Sequence, residues 1–443
     1  MRIRLIQPAM HLRPMDTELK TRMSPPLGLM TLAGMVAGEH EVTIENENVQ
    51  RVDLDGHADL VGLTVTVDVL PRAAEIAARF RARGIPVVAG GVHPTCDPDG
   101  CAPHFDAVCV GSAEDTWLRI VDDAGRGSLQ GRYVGQGLGT WPAPSHETLD
   151  PSPYLYTSVV STSRGCPFSC DFCYNSAPGA GGYRHREIDD IVAEIRALPT
   201  RHVMFIDDNF VADPRWTDEL LRRLAPLDLR WNAAVTANVA SMGPLLDRMR
   251  ETGCESLFIG LETLSTSSLR AVSKRQNRVE KYDALVAALH DRQIMVDASF
   301  VFGLDGDEPE IFPRTLDWIV SRRIETVTSH ILTPYPGTAL HTRMSAQGRI
   351  IDHDLSHYDT AHVVYSPIGM TPEELQAGYL WLYDQIYSWP NIVRRLPDDS
   401  RRLMPYLLFN VLYRKYGRVT ERLCRMATYE RVGRLARRLA YRV

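Results

Sequence analysis

Short apolar runs alternate with amphipathic stretches along most of this 443-residue chain, and that alternation restricts its fold more than any other feature. Near the start, Arg2 to Gln7, Val42 to Glu45, Leu60 to Thr66, Pro86 to Gly90 and Ala107 to Gly111 have the length and composition of strands. Between them, Leu27 to Val36 and Pro71 to Arg83 place Leu, Ala, Ile and Phe at helical spacing. Strands that alternate with helices build parallel sheets, so residues 1–122 predict a Rossmann-like, doubly wound α/β domain. Residues 123–153 are rich in Gly, Pro, Ser and Asp without periodicity and predict a linker. From 154 the alternation resumes with strands at Ser158 to Thr162, His202 to Ile206, Trp231 to Thr236, Ser256 to Gly260, Met295 to Phe302 and Thr326 to Leu332. Helical patterns such as Ile188 to Leu198, Asp218 to Leu224, Gly243 to Glu251 and Tyr282 to Arg292 separate them. Residues 154–345 therefore predict a partial (β/α)6 barrel with active residues at strand C-terminal ends. Residues 346–443 predict a mostly helical C-terminal region, including Pro372 to Ser388 and Pro405 to Tyr441.

Composition narrows the functional classes. A net charge of -6 argues against a protein that coats nucleic acid, and no nucleic-acid partner is expected. The start, MRIRLIQPAM, lacks a signal peptide's apolar stretch and no run of eighteen apolar residues follows, so the expected compartment is the cytoplasm. The 8 cysteines are scattered except for one cluster, which suits reduced thiols or metal ligation better than a disulfide framework.

That cluster is Ser163-Arg-Gly-Cys166-Pro-Phe-Ser-Cys170-Asp-Phe172-Cys173-Tyr, a CxxxCxxC loop directly after the first predicted barrel strand. Thiolates suit zinc or iron–sulfur. Three of them without a fourth nearby leave one iron of a cubane open to a further ligand. A structural zinc with a remote fourth ligand and unligated buried thiols are the alternatives.

CxxxCxxC with an aromatic residue, here Phe172, before the third cysteine resembles the loop of the radical S-adenosylmethionine (SAM) enzymes. The resemblance implies that Cys166, Cys170 and Cys173 hold a 4Fe-4S cluster, that SAM chelates its open iron, and that one-electron reduction yields a 5′-deoxyadenosyl radical. An external reductant such as flavodoxin or ferredoxin is implied with it.

By the same resemblance, Asp207 and Asp208, at the end of His202-Val-Met-Phe-Ile, occupy the place of acceptors for the SAM ammonium group, although adjacent acids also cap helices. Glu262, in Gly260-Leu-Glu262, would face the cofactor ribose or the substrate, with a rim salt bridge as the plainer reading. Lys274, in Ser273-Lys-Arg-Gln-Asn-Arg278, would meet the SAM carboxylate, unless the run is a solvated charged face. Tyr335, in Thr333-Pro-Tyr-Pro-Gly337, is a candidate catalytic residue beside the substrate, although the prolines and glycine also suit a tight turn.

A Rossmann-like sheet binds ligands beyond its strand C-terminal ends, which here carry Thr64 and Thr66, Gly90, Gly91 and His93, and Gly111 and Glu114. Together with Ser24-Pro-Pro-Leu-Gly28, these ends resemble the cobalamin-binding domain fused to many radical SAM enzymes, and the order ahead of the cysteine loop agrees. A DxHxxG motif is absent after the first strand; Asp55-Gly-His57 imitates it, but position 60 is Leu. The resemblance therefore implies cobalamin held without a lower histidine ligand. The first βα turn has no GxGxxG loop, which argues against a nicotinamide enzyme.

The whole arrangement resembles the cobalamin-binding radical SAM family, and Phe302-Gly-Leu-Asp-Gly-Asp307 with Tyr335-Pro-Gly337 resembles its branch that includes hopanoid methylases. It implies a C-methyltransferase acting on an unactivated carbon of a natural product or lipid. The alternatives are a radical SAM cyclase or rearrangement enzyme that does not methylate, and a non-catalytic iron–sulfur or zinc module. Between Asn391 and Val443, fourteen Lys or Arg stand against four Asp or Glu, interleaved with apolar residues including Leu403, Tyr406, Leu412, Val419, Leu435, Leu439 and Tyr441. Amphipathic helices there would close the barrel or make peripheral contact with an anionic membrane.

Overall fold

A computed structural model describes the chain except residues 138–140, 430, 433 and 436–443. Leu439, Tyr441 and the end of the helix predicted to reach Tyr441 lie outside the described residues. Two six-stranded parallel sheets carry the architecture. The first is built from β1 (Arg2–Gln7), β2 (Glu41–Asn46), β3 (Leu60–Thr64), β4 (Val87–Gly90), β5 (Ala107–Gly111) and β6 (Arg132–Gly135), in the order β2-β1-β3-β4-β5-β6. Ile3 pairs with Val42 on one side and Leu60 on the other, so the chain reverses its winding at β1 and opens a crevice beyond the strand C-terminal ends.

Both faces of this sheet are apolar because helices cover both. On one, Ile6, Val61 and Leu63 pack against Leu70, Ile76 and Phe80 of the helix Leu70–Arg81. On the other, Ile3, Leu5 and Leu60 meet Leu29 and Ala33 of the helix Leu27–Val36 and Trp117 of the helix Trp117–Gly125. Each large side chain buried in this way stabilises the fold by about 1.5–3 kcal/mol. Strand β6 falls inside the stretch expected to be a linker. Its four residues, Arg-Tyr-Val-Gly, alternate exposed and buried at the sheet edge, too briefly to stand out from the Gly-rich sequence around them.

The second sheet runs β12 (Thr326–Ile331), β11 (Met295–Phe302), β10 (Cys254–Glu262), β9 (Arg230–Thr236), β8 (His202–Phe205) and β7 (Val159–Val160), each strand beside its sequence neighbour. Helices between the strands bury one stripe each. In Pro214–Leu224 the buried residues are Thr217, Leu220, Leu221 and Leu224, and its start is fixed by Asp213, which accepts from the N–H groups of Arg215 (3.1 Å) and Trp216 (3.2 Å). Strands β7 and β12 are the two edges of the sheet, so the barrel is partial.

A segment following β1 crosses that gap. Beside β7, the carbonyls of Arg22 and Met23 accept from the N–H groups of Leu155 and Tyr156, each at 2.8 Å. On the β12 side, Arg13 donates to Thr360 Oγ1 (3.0 Å), and the Tyr379 hydroxyl meets Met15 Sδ (3.5 Å). Arg13 and Asp16 form a buried ion pair at 2.6 Å, and Arg414 stands 3.7 Å from Asp16. The N-terminal half thus makes contact on both sides of the barrel's open edge without adding a strand to it.

Beyond the barrel, Pro372–Ile386 opens with a capping box between Thr371 and Glu374 and buries Tyr379 and Tyr383, whose hydroxyls both donate to the Ser329 carbonyl at 3.2 Å. The helix Ser400–Leu407 continues into a π-helical stretch, Leu408–Lys415, and then Gly417–Ala427. In the π register Arg414 turns inward among the rings of Tyr413 (5.1 Å) and Tyr383 (5.7 Å). No helix among the described residues is long and apolar enough to cross a membrane.

Candidate active site

The cysteine loop is held at both ends. After β7 the chain forms a two-residue antiparallel pairing, Ser163–Arg164 with Arg184–His185, which closes the loop between them. Gly165 sits at φ 72°, and a Cβ there would lie 2.3 Å from the Gly182 carbonyl oxygen, so this turn requires glycine. Further along, Leu340 N–H donates to the Asp171 carbonyl (3.0 Å), and the Asp171 carboxylate pairs with Arg343 at 2.8 Å. Cys170 is buried, Cys166 and Cys173 are half-buried, and none of the three is in a disulfide. Burial, together with Cys170, Asp208 and Cys166, pushes the Cys173 thiol up to about 12. Three thiols gathered where each disfavours ionisation of the next ionise readily only with a compensating cation.

The donor set fits the implied cluster better than single zinc. Among the described residues no three His, Cys, Asp or Glu side chains converge closely enough for one metal ion. The three thiols lie near enough for Cys170 to bear on Cys166, and Cys166 and Cys170 on Cys173, as ligands spread around one polynuclear iron–sulfur group would be.

Around them stand the polar residues singled out in the sequence. Glu262 and Lys274 meet in a buried ion pair, and the Lys274 ammonium lies 5.9 Å from the Phe172 ring centroid. Burial opposes the lysine's charge, but Glu262 and Cys170 outweigh it and raise its pKa. Glu262 reaches this position at φ 67°, where the β10–β11 register shifts. Asn277 fixes the distortion by donating to the Gly260 carbonyl (2.7 Å), and Tyr282 by donating to that of Leu261 (2.7 Å). Asp208 is exposed above β8, where it accepts from the Tyr174 hydroxyl.

Asp207 is committed to the cysteine loop through one oxygen, while its Oδ2 is buried without a partner among the described residues. Its Oδ1 accepts from the N–H groups of Thr162 (2.9 Å) and Ser163, and from their hydroxyls at 3.0 and 2.6 Å. Burial pushes its carboxyl up to about 6 against those bonds. It anchors the root of the cysteine loop, a tertiary role that its place beside Asp208 in the sequence does not reveal.

Glu114 is also tied to the cysteine loop. It accepts from Arg164, next but one to Cys166, and from the Ser112 hydroxyl at 2.9 Å. Burial would raise its carboxyl, but Arg164 holds it below the usual range. Arg184 donates to Ser112 Oγ (2.5 Å), and both guanidinium groups lie over the Trp141 ring, at 4.6 Å for Arg164 and 5.3 Å for Arg184. This clamp joins the cysteine loop to the first sheet, and sequence spacing carried no signal for it.

The other strand-end residues gather along the C-terminal edge of the first sheet. Gly91, at φ 111°, has no room for a Cβ between Val65 N and O, whereas Gly90 meets only Cys109 at 3.6 Å. Thr64 ends β3, and the Thr66 hydroxyl donates to Asp68 (2.7 Å). Gly111 sits at φ 77° against β6, with Gly135 O 2.5 Å from an added Cβ. His93 is buried, burial lowers its pKa, and its Nε2 has no partner among the described residues. Such an orphaned nitrogen suits a site made for a further group. His57 is exposed, in keeping with a loop histidine. Tyr335 is half-buried between the halves, its hydroxyl pushed up by burial, with Asp68 and Asp359 adding to the rise. Beside it, a Cβ on Gly337 would stand 2.0 Å from the Cys96 carbonyl oxygen. Gln276, missed in the sequence, donates to Cys170 Sγ at 3.5 Å.

Asp307, at the end of the β11 loop, gives a pH-dependent expectation. It accepts from Ser268 Oγ (2.7 Å) and Leu304 N–H (3.1 Å), and burial raises it from 3.8 to about 6. Folding thus favours its protonated form. The associated stability, about 3 kcal/mol, is present below the unfolded value and is lost as pH rises through the folded one. Asp307→Asn should gain in melting temperature relative to the parent as pH rises from about 5 to 7. A difference that stays constant across thermal scans in this range would refute the assignment.

Residues 160–319 match the radical SAM superfamily and residues 22–121 the B12 binding domain. The chain is 31% identical over 390 residues to the bacteriochlorophyllide d C-12(1)-methyltransferase of Chlorobaculum tepidum, covering 84% of this chain and 85% of that protein. It is 27% identical over 351 residues to the hopanoid C-2 methylase of Rhodopseudomonas palustris, covering 74% of this chain and 66% of that one. Among solved structures it is similar to the radical SAM methyltransferase TsrM from Kitasatospora setae, with TM-score 0.70 and 16% identity, covering 95% of this chain and 99% of that chain. This last likeness concerns the fold.

Proposed function

Because the chain belongs to the B12-binding radical SAM family, whose cofactors are a 4Fe-4S cluster, SAM and cobalamin, we propose that it methylates an unactivated carbon of an apolar small molecule, a natural product or a lipid. When bound, the cluster and SAM supply hydrogen-atom abstraction and cobalamin supplies the methyl group. Cys166, Cys170 and Cys173 hold the cluster, Asp208 accepts from the SAM ammonium group, and Lys274 offers a cation to its carboxylate. Thr64, Gly91, His93 and Gly111 form the edge that takes cobalamin. Tyr335 lies where substrate would sit between the two halves. A small electron-transfer protein such as flavodoxin or ferredoxin supplies the electron.

The observation that carries this reading is the clamp of Arg164 and Arg184 on Ser112 and Glu114, which seats the cysteine loop on the C-terminal edge of the first sheet. The two cofactor regions are thereby held next to each other, as transfer of a methyl group from one to a radical made at the other requires. The relatives named above act on a tetrapyrrole and a hopanoid, which supports a large, mostly apolar substrate.

The test is anaerobic incubation of reconstituted protein with reductant, SAM and candidate lipophilic substrates, read by mass spectrometry. A product in which one hydrogen is replaced by methyl, a net gain of CH2, accompanied by 5′-deoxyadenosine and S-adenosylhomocysteine, is expected. Deoxyadenosine with a cyclised or rearranged but unmethylated product would overturn the methyl-transfer assignment.

A further inference from the structure

The helix Gly417–Ala427 buries Gly417, Glu421 and Cys424 against the protein, yet its opposite face is apolar as well. Val419, Leu423 and Met426, at i, i+4 and i+7, stand on one outward stripe and are 57%, 58% and 80% exposed. A solvated helix face is ordinarily polar, and this stripe has no partner among the described residues. Just before it, Tyr416 packs on Trp389 with ring centroids 5.9 Å apart, and both rings are exposed. The Lys415 ammonium lies 5.3 Å from the Trp389 ring centroid. Along one side of the stripe run Arg418 and Arg422, exposed and without an ion pair among the described residues.

We propose that this face docks on the surface of an anionic phospholipid bilayer. Its parts match what such a surface offers. The apolar stripe suits the boundary of the acyl region, the paired aromatic rings suit the headgroup level, and the unpaired arginines suit lipid phosphates. A second copy of the chain fits less well, because stripe-to-stripe packing would confront each row of unpaired arginines with another cationic row. The surroundings also suit lipid. Behind the same helix, Thr420 and Cys424, with the exposed Met404 and Leu412, line a cavity of about 710 Å³ that reaches Asn232 and Asp297 near the N-terminal ends of β9 and β11. This pocket lies at the opposite end of the barrel from the cysteine loop and gives an amphiphile a place to lodge as it leaves the bilayer.

The test is flotation of the full-length, cluster-loaded protein with vesicles of phosphatidylcholine alone or mixed with phosphatidylglycerol. The protein is expected to float with the mixed vesicles and not with the neutral ones, and to be released by salt. L423D/M426D and R418E/R422E should each lower the bound fraction at least about 20-fold. Both variants are expected to keep the parent's rate of SAM cleavage and its particle mass in light scattering. Flotation that is absent, or unchanged in L423D/M426D, overturns the proposal. A fall in particle mass on L423D/M426D also overturns it, because the stripe would then be a self-association face.

Discussion

Alanine at any one of Cys166, Cys170 or Cys173 is expected to lower reductive SAM cleavage by more than about 100-fold, because losing a direct ligand costs at least as much as losing a residue that only orients one. The variants should fold, since the loop is also held by the Ser163–Arg164 pairing, the Asp171–Arg343 ion pair and the Asp207 anchor. Iron content and the visible spectrum of anaerobically prepared protein report the cluster, and corrinoid content reports the other half independently. Loss of iron with corrinoid binding retained supports the assignment. Retention of a full cluster by all three single variants would remove these residues as its ligands.

The second large effect concerns Lys274. Its ammonium and the Glu262 carboxylate are both buried, so Lys274→Met leaves an unpaired carboxylate and is expected to destabilise the protein by about 3–5 kcal/mol. Removing both charges in K274M/E262Q should recover most of that loss, since replacing a whole buried pair is far cheaper than breaking it. Denaturant unfolding of the parent, both single variants and the double variant measures this directly. SAM affinity separates the two roles of the lysine. If Lys274 also meets the SAM carboxylate, the double variant regains stability but not affinity. Recovery of both would confine the residue to supporting β10, and a cost below about 1 kcal/mol for K274M would show the pair to be solvated.

How far the chain can be read from its sequence varies with the range of the interactions. Strands β1, β5 and β11 were legible to the residue, because buried parallel strands are near-continuous apolar runs bounded by turn residues. Strand β6 was not, being four residues long at a sheet edge. The three cysteines announce themselves by spacing. Asp207 and Glu114 do not, since their partners, Thr162 and Arg164, are 45 and 50 residues away and only the folded chain brings them together. The distortion that presents Glu262 depends on Asn277 and Tyr282, whose side chains look unremarkable in sequence. The π-helical stretch Leu408–Lys415 reads as ordinary helix, because its register is set by seating Arg414 among rings rather than by residue propensity.

The crossing segment after β1 ties the two halves in a way that excision would expose. A polypeptide begun at Tyr154 would leave Leu155 and Tyr156 without their acceptors and strand the Arg414 guanidinium without the Asp16 carboxylate. Such a truncated product should be insoluble or unstable rather than merely short of one cofactor. For the same reason, recombination that grafts a foreign front half onto this barrel must carry a compatible replacement for residues 9–23. The two halves are therefore expected to unfold together rather than one at a time.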